Sequence, residues 1–291
     1  MATETEPGTP KKASRGMSAT LTRLIQRVNT VRVLKVYAIL ITIFLYLPII
    51  TLIVFSFNAG GLTFPFVGFT TEWYGVLFAN EKLATAFITS LKLSFVTMLI
   101  ATPLSTMVGL AYRRRFKGRR LVLNLLLVAI ILPGITYGLG TTLFLNELLG
   151  LPKSWWLAIT VEVVWTVPFG VIVIIVGFPP NLVENERAAR MMGASRLTVF
   201  RDITLPQIWP TMLGAAIFSF TLTYNEATRS LLIIGTETPI ANQVFAIATR
   251  QEPTPELYAL GSVTTVVSVI LLLAALTIVL LYGAGGTDSP E

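Results

Sequence analysis

Residues 37–57, YAILITIFLYLPIITLIVFSF, run for 21 residues without a charged side chain. At about 1.5 Å per residue a helix of that length crosses ~30 Å, the hydrocarbon thickness of a bilayer. The run is too long for a strand and too uniformly apolar for a helix that shares its surface with water. A secretory signal would carry a shorter apolar region and an A-x-A-like cleavage site, so the stretch reads as an uncleaved first membrane span.

Outward from this run the same pattern recurs. Apolar segments at 83–112, 121–145, 155–178, 207–234 and 257–282 bring the expected total to six spans, an all-α polytopic membrane protein. Composition agrees: 54% of the 291 residues are hydrophobic and 13% charged, against about a quarter charged in soluble domains. Spans two to five hold internal Pro or Gly, including Pro103, Pro133, Gly134, Gly138, Pro168 and Pro210. A bundle tolerates these because neighbouring groups satisfy the freed backbone, and close helix packing is the plainer use for the glycines. The expected organisation is a basic arm at 1–36 with a surface helix over 21–36, a six-span domain at 37–282, and a tail at 283–291.

Charge sets the orientation. The arm, the loop 113–120 after span two and the loop after span four carry seventeen of the 22 Lys and Arg, and all three fall on one face. By the positive-inside rule that face is cytoplasmic, so both termini are expected inside. The net charge of +7 is then a consequence of topology. Nucleic-acid binding is not expected, because the basic residues form no patch with interleaved stacking aromatics.

The chain has no Cys and no His, which excludes disulfides, thiolate or imidazole metal ligands, and Ser-His-Asp or Cys-His catalysis. No G-x-x-x-x-G-K-[ST] is present to cradle ATP phosphates. The expectation is a membrane protein that is not a self-sufficient enzyme and binds no cofactor: a channel, a transporter, a receptor or a scaffold.

The polar loop at 180–206 between spans four and five is the informative one. In ENERAARMMGASRLTVFRDITLP, residues 184–206, Asn181 or Asn185 can cap a first helix, Glu184 and Glu186 suit its positive end, and Ala188, Ala189, Met191 and Met192 give it a compact apolar side. Gly193 permits a left-handed turn, and Ser195 can cap a second helix bearing Leu197, Phe200 and Ile203. Pro206 should close that helix and start span five. The outcome is a small-residue knob suited to a partner's groove, or else an ordinary interfacial loop shielding the span ends.

This segment resembles the "EAA" loop of binding-protein-dependent ABC importers, E-A-A, three residues, G, nine residues, I-x-L-P. Ala188, Ala189, Gly193, Ile203, Leu205 and Pro206 match at every spacing, while Arg187 stands at the motif's Glu position with Glu186 just before it. The stretches YLPIITLIVFSFN (46–58), GFTTEWYGVLF (68–78), AYRRRFKGRR (111–120) and ILPGITYGLG (131–140) are similar to the second permease subunit of spermidine/putrescine importers. The resemblance spans 37–282. It implies the type I importer permease fold, a partner permease, two ATPase subunits that bind ATP and Mg, and an external substrate-binding protein. Related permeases carry iron, thiamine and other small solutes.

Ionisable groups inside spans mark solute paths. Glu162 in span four and Glu226 in span five, with Trp165, Tyr137 and Tyr224, could offer a polycation weak carboxylate and cation–π contacts. The resemblance implies acids at the span-five position, where this chain has Asn225-Glu226. The plainer alternatives are an intrahelical Glu226–Arg229 pair and a Glu162 that reaches the outer interface. A stand-alone channel or secondary transporter would show internal inverted repeats or a charged midplane relay, and the sequence has neither.

Overall fold

The computed structural model describes residues 30–61, 64–250 and 255–283. Its α-helices are α1 Thr30–Phe55, α2 Glu72–Ala79, α3 Glu81–Tyr112, α4 Arg119–Ile131, α5 Gly134–Thr142, α6 Trp155–Val176, α7 Leu182–Met191, α8 Arg196–Val199, α9 Leu205–Tyr224, α10 Ile240–Arg250 and α11 Pro255–Gly283. Five continuous helical segments are long and apolar enough to cross a membrane, and α4 with α5 and the π turn at Leu143–Leu148 forms a bent pair, a broken sixth span or a re-entrant loop. Two compact units are distinguished, residues 1–54 and 55–291. In the first, the described part of the expected surface helix, 30–36, is continuous with α1; residues 21–29 of that expectation lie outside the described residues. Nothing in 30–36 breaks the helix, since Val, Arg, Leu and Lys extend it as readily as the span that follows.

In the second unit, α3, α6 and α9 pack on one another, with α11 against α9 and α2. Lipid tails are as apolar as Leu, so such helices hold by close packing and hydrogen bonds rather than by escape from water. The seams accordingly bury Thr89, Ser94, Thr97, Ser105, Thr166 and Ser219. Ser105 Oγ donates to the Val167 carbonyl at 3.1 Å, tying α3 to α6. Gly170 makes that approach possible, because a Cβ there would press to 2.8 Å from Ser105 Cβ. Outward faces carry exposed Phe95, Leu99, Leu123, Leu125 and Leu272, as lipid or a partner helix requires.

Three expected boundaries differ. Span three is broken: α4 stops at Ile131, α5 starts at Gly134, and the halves meet at 106°. Pro133 has no N–H to continue the ladder and drives Leu132 to φ −58°, ψ 128°, outside the helical region. Span five ends at Tyr224, ten residues short of the expected 234, for a reason lodged in Glu226 and described below. Pro206 lies in the first turn of α9, as expected, but closes nothing, since α8 runs into α9 through a π turn at Phe200–Thr204. In that wider turn the Leu205 N–H reaches back to the Phe200 carbonyl, so the chain passes Pro206 without a break.

Candidate functional site

The loop between α6 and α9 folds as two short helices about Gly193. Gly193 has φ +90°, left-handed backbone that favours glycine. Ser195 caps α8, accepting from the Thr198 N–H at 3.1 Å. The first expected cap is absent: Asn181 occupies the N-cap position of α7 without a side-chain bond, and Asn185 instead donates to Gln207 Oε1 at 3.2 Å. Ala189 is buried in the loop's base and Ala188 is exposed. Met191, Met192 and Leu197 stand 83%, 82% and 74% exposed, an apolar tip with nothing to cover it among the described residues. Ile203 and Leu205 are half-buried and Pro206 is exposed at the base of α9.

Glu186 and Arg187 part company. Arg187 is exposed, whereas Glu186 turns inward and accepts both Arg113 Nη1 and Nη2, at 2.8 and 2.9 Å, and Thr204 Oγ1 at 2.7 Å. One carboxylate therefore joins the end of α3, helix α7 and the π turn before α9. A bidentate, charge-assisted contact of this kind fixes orientation as well as distance. Arg113 also lies over the Phe178 ring, 5.4 Å from its centroid. Burial by itself would raise the Glu186 carboxyl, but the bonds from Arg113 and Thr204 and the charges of Arg113 and Arg190 outweigh it and hold the group below its ordinary 4.5. Beside this brace a cavity of about 620 Å³ is lined by Arg113, Arg114, Glu186, Arg187, Arg190 and Arg196 among others.

The second cluster lies deeper. Just past the end of α9, Glu226 Oε1 accepts from the Thr228 N–H at 2.7 Å, Thr228 Oγ1 at 2.7 Å and the Arg229 N–H at 3.0 Å, while Oε2 takes Arg229 Nη1 at 2.5 Å. By capturing backbone donors two and three residues ahead, the side chain competes with the helix and ends it. The Glu226–Arg229 pair is therefore real but bridges a turn, not a helix face. Its side chains are 7% and 13% exposed; removing one partner of so buried a pair costs about 3–5 kcal/mol. The Arg229 guanidinium also covers Trp165, 4.0 Å from the ring centroid.

Glu162 does not reach an outer interface: it is 0% exposed, and neither carboxylate oxygen has a hydrogen-bond partner among the described residues. It lies near enough to Glu226 and Arg229 to feel both charges. Tyr137 is half-buried on α5, packed against the cluster that contains Val161 and Ile233. Tyr224 separates from the group and packs instead with Phe87 and Phe220. The structure thus brings Glu162, Trp165 and Glu226 to one place and leaves Tyr224 elsewhere.

Residues not singled out as site residues complete both clusters. Arg113 was legible only as one of many basic loop residues, 73 positions from Glu186. Gly134 and Gly138 form a cradle on α5: a Cβ on Gly134 would meet Thr228 Oγ1 at 2.5 Å, and one on Gly138 would collide with the Arg229 carbonyl. Their four-residue spacing after Pro133 was the available signal. Among the described residues no group of His, Cys, Asp and Glu is arranged to hold a metal ion.

Residues 101–284 match the family model described as binding-protein-dependent transport system inner membrane component. The chain is 31% identical over 236 residues to the spermidine/putrescine transport system permease protein PotC of Escherichia coli (strain K12), covering 80% of this chain and 88% of that one. It is 27% identical to the putrescine transport system permease protein PotI of the same strain, over 75% and 80% of the two chains. A chain of a bacterial ABC transporter that imports the acidic polysaccharide alginate shares the fold, with TM-score 0.67 and 20% identity over 89% of this chain and 98% of that one.

Proposed function

The chain belongs to the family of binding-protein-dependent transport system inner membrane components, and we propose that it forms half of the solute path of an ATP-driven importer for polyamines. ATP hydrolysis takes place on a separate ATPase, bound with its Mg by that partner, and an external binding protein delivers the solute. Two ATPase copies and a second permease complete the assembly. Both termini face the cytoplasm, and 37–282 is the spanning domain with its docking loop at 180–206.

The observation that carries this reading is the loop. Met191, Met192 and Leu197 form an exposed apolar tip, and Glu186 braces its base to α3 and α9 through Arg113 and Thr204. A knob on a rigid base transmits force, because movement of whatever grips the tip is passed to two spans instead of being absorbed by a slack loop. Arg187, at the family's acidic position, is exposed at the rim. Glu186, the neighbouring acid, is engaged within the chain, so the basic rim is what meets the partner. The polyamine assignment draws on the two named relatives and on the acid-and-aromatic cluster of Glu162, Glu226 and Trp165.

Gly193→Asp tests the docking role. At φ +90° with open space around it, the substitution perturbs the tip and spares the spans. Pull-down of the tagged permease from detergent with its ATPase should lose that ATPase while keeping the partner permease. Retention of stoichiometric ATPase would refute the role of the loop.

A further inference from the structure

We propose that Glu226, Trp165 and the Gly134–Gly138 cradle form a cage for an organic cation that this chain fills with its own Arg229, a tethered occupant displaced by the ammonium or guanidinium group of a substrate. The inference rests on the reading that a cationic solute passes this cluster.

Arg229 makes both contacts that a free organic cation would seek. Its Nη1 is 2.5 Å from a Glu226 oxygen and its guanidinium is 4.0 Å from the Trp165 ring centroid, the carboxylate-plus-aromatic combination that recognises ammonium and guanidinium ions. It is not anchored on a helix. The segment from Asn225 to Pro239 has no regular helix, and the Arg229 side chain comes from a turn held by Glu226 itself. The Arg229 backbone lies against Gly138 and the Thr228 and Arg229 side chains against Gly134, where any Cβ would push them away.

Glu162 supplies the independent observation. It is fully buried, the Ser230 hydroxyl is its nearest polar neighbour, neither carboxylate oxygen makes a hydrogen bond of normal geometry among the described residues, and the Glu226 and Arg229 charges act on it. The cluster thus holds two carboxylates against one guanidinium, and a self-contained structural pair would need neither a third ionisable group nor an aromatic face. Displacement also leaves no charge bare: the incoming cation neutralises Glu226 while Glu162 stands ready for the freed guanidinium. At rest Arg229 fills the cage, its side chain 13% and that of Glu226 7% exposed, and the cage takes a cation that competes for both contacts.

Chemical rescue in the assembled importer tests this. Arg229→Ala, purified with the partner permease and ATPase, should melt at a lower temperature than the parent. Millimolar methylguanidinium or spermidine should restore it saturably, should shift the parent far less because there the cation must first displace Arg229, and should leave the Glu226→Gln/Arg229→Ala double variant unmoved beyond the effect of equal NaCl. Absence of saturable rescue, or equal rescue of the double variant, overturns the cage. If Arg229→Ala does not assemble, Arg229→Lys serves instead: its smaller ammonium should leave the cage weaker, and the KM for spermidine uptake should fall at least threefold; an unchanged or raised KM overturns the proposal. Uptake of spermidine by the parent importer is measured alongside. Rescue without parent uptake sinks the polyamine reading and spares the cage, and uptake without rescue does the reverse.

Discussion

Glu186 and Arg187 are neighbours with opposite tasks. The spacing of the loop motif identified the pair as the place where this chain departs from its family's pattern, but spacing cannot say where a side chain turns. That depended on Arg113, 73 residues away and brought near only by the packing of α3 against the rest of the bundle. The lowered carboxyl of Glu186 fixes the sign of its pH effect. Its bonds stabilise the loop fully above its ordinary 4.5 and are lost as pH falls through the lower folded value. Hydrogen exchange of residues 182–204 in detergent should therefore be flat from neutral pH to about pH 5, after correction for intrinsic rates, and should accelerate in stronger acid. Glu186→Gln should exchange faster at neutral pH and lose the acid transition; protection equal to the parent at pH 7 would mean that the brace carries no weight.

At the level of elements, the existence of the spans was legible, but α2 and α10 fall in segments that read as loops, too short and too polar or Pro-flanked to signal a span, and helix endings were not legible. The apolar runs located every span, since lipid demands about twenty apolar residues whatever the packing. The endings hang on single groups that compete with the helix for backbone bonds. Pro133 breaks span three, Glu226 ends α9 at Tyr224, and a π turn carries the chain past Pro206. The sequence displayed each of these residues without revealing which competitor wins, because a Pro inside a span can equally be absorbed, as Pro48, Pro103, Pro168 and Pro210 are. The glycines of α5 allow a paired test. Gly138→Ala forces a Cβ against the Arg229 carbonyl and should destabilise the protein by about 1–3 kcal/mol, the usual cost of overpacking. Gly140→Ala, with nothing within 4 Å, should be neutral or slightly stabilising through helix propensity. Melting in detergent compares them, and equal midpoints would contradict a close α5–Arg229 contact.

For the molecule as a whole, fold and family were legible early because the loop motif and the span pattern are both local in sequence. The deep cluster was legible only in part. Glu162, Trp165 and Glu226 were identified one by one as costly or aromatic groups within spans, and the structure joins them through Arg229 and the α5 glycines, while Tyr224, chosen by depth alone, belongs to another packing cluster. Neither cluster has an outlet of its own for energy, so the account assigns the drive to a partner at the loop and passage to the bundle. The measurement that tests this most directly is spermidine uptake into liposomes containing this chain, its partner permease and its ATPase, with binding protein on the side opposite the ATPase. The account predicts accumulation that requires both ATP and the binding protein and disappears with Gly193→Asp. Equal accumulation by this chain alone without ATP would contradict it.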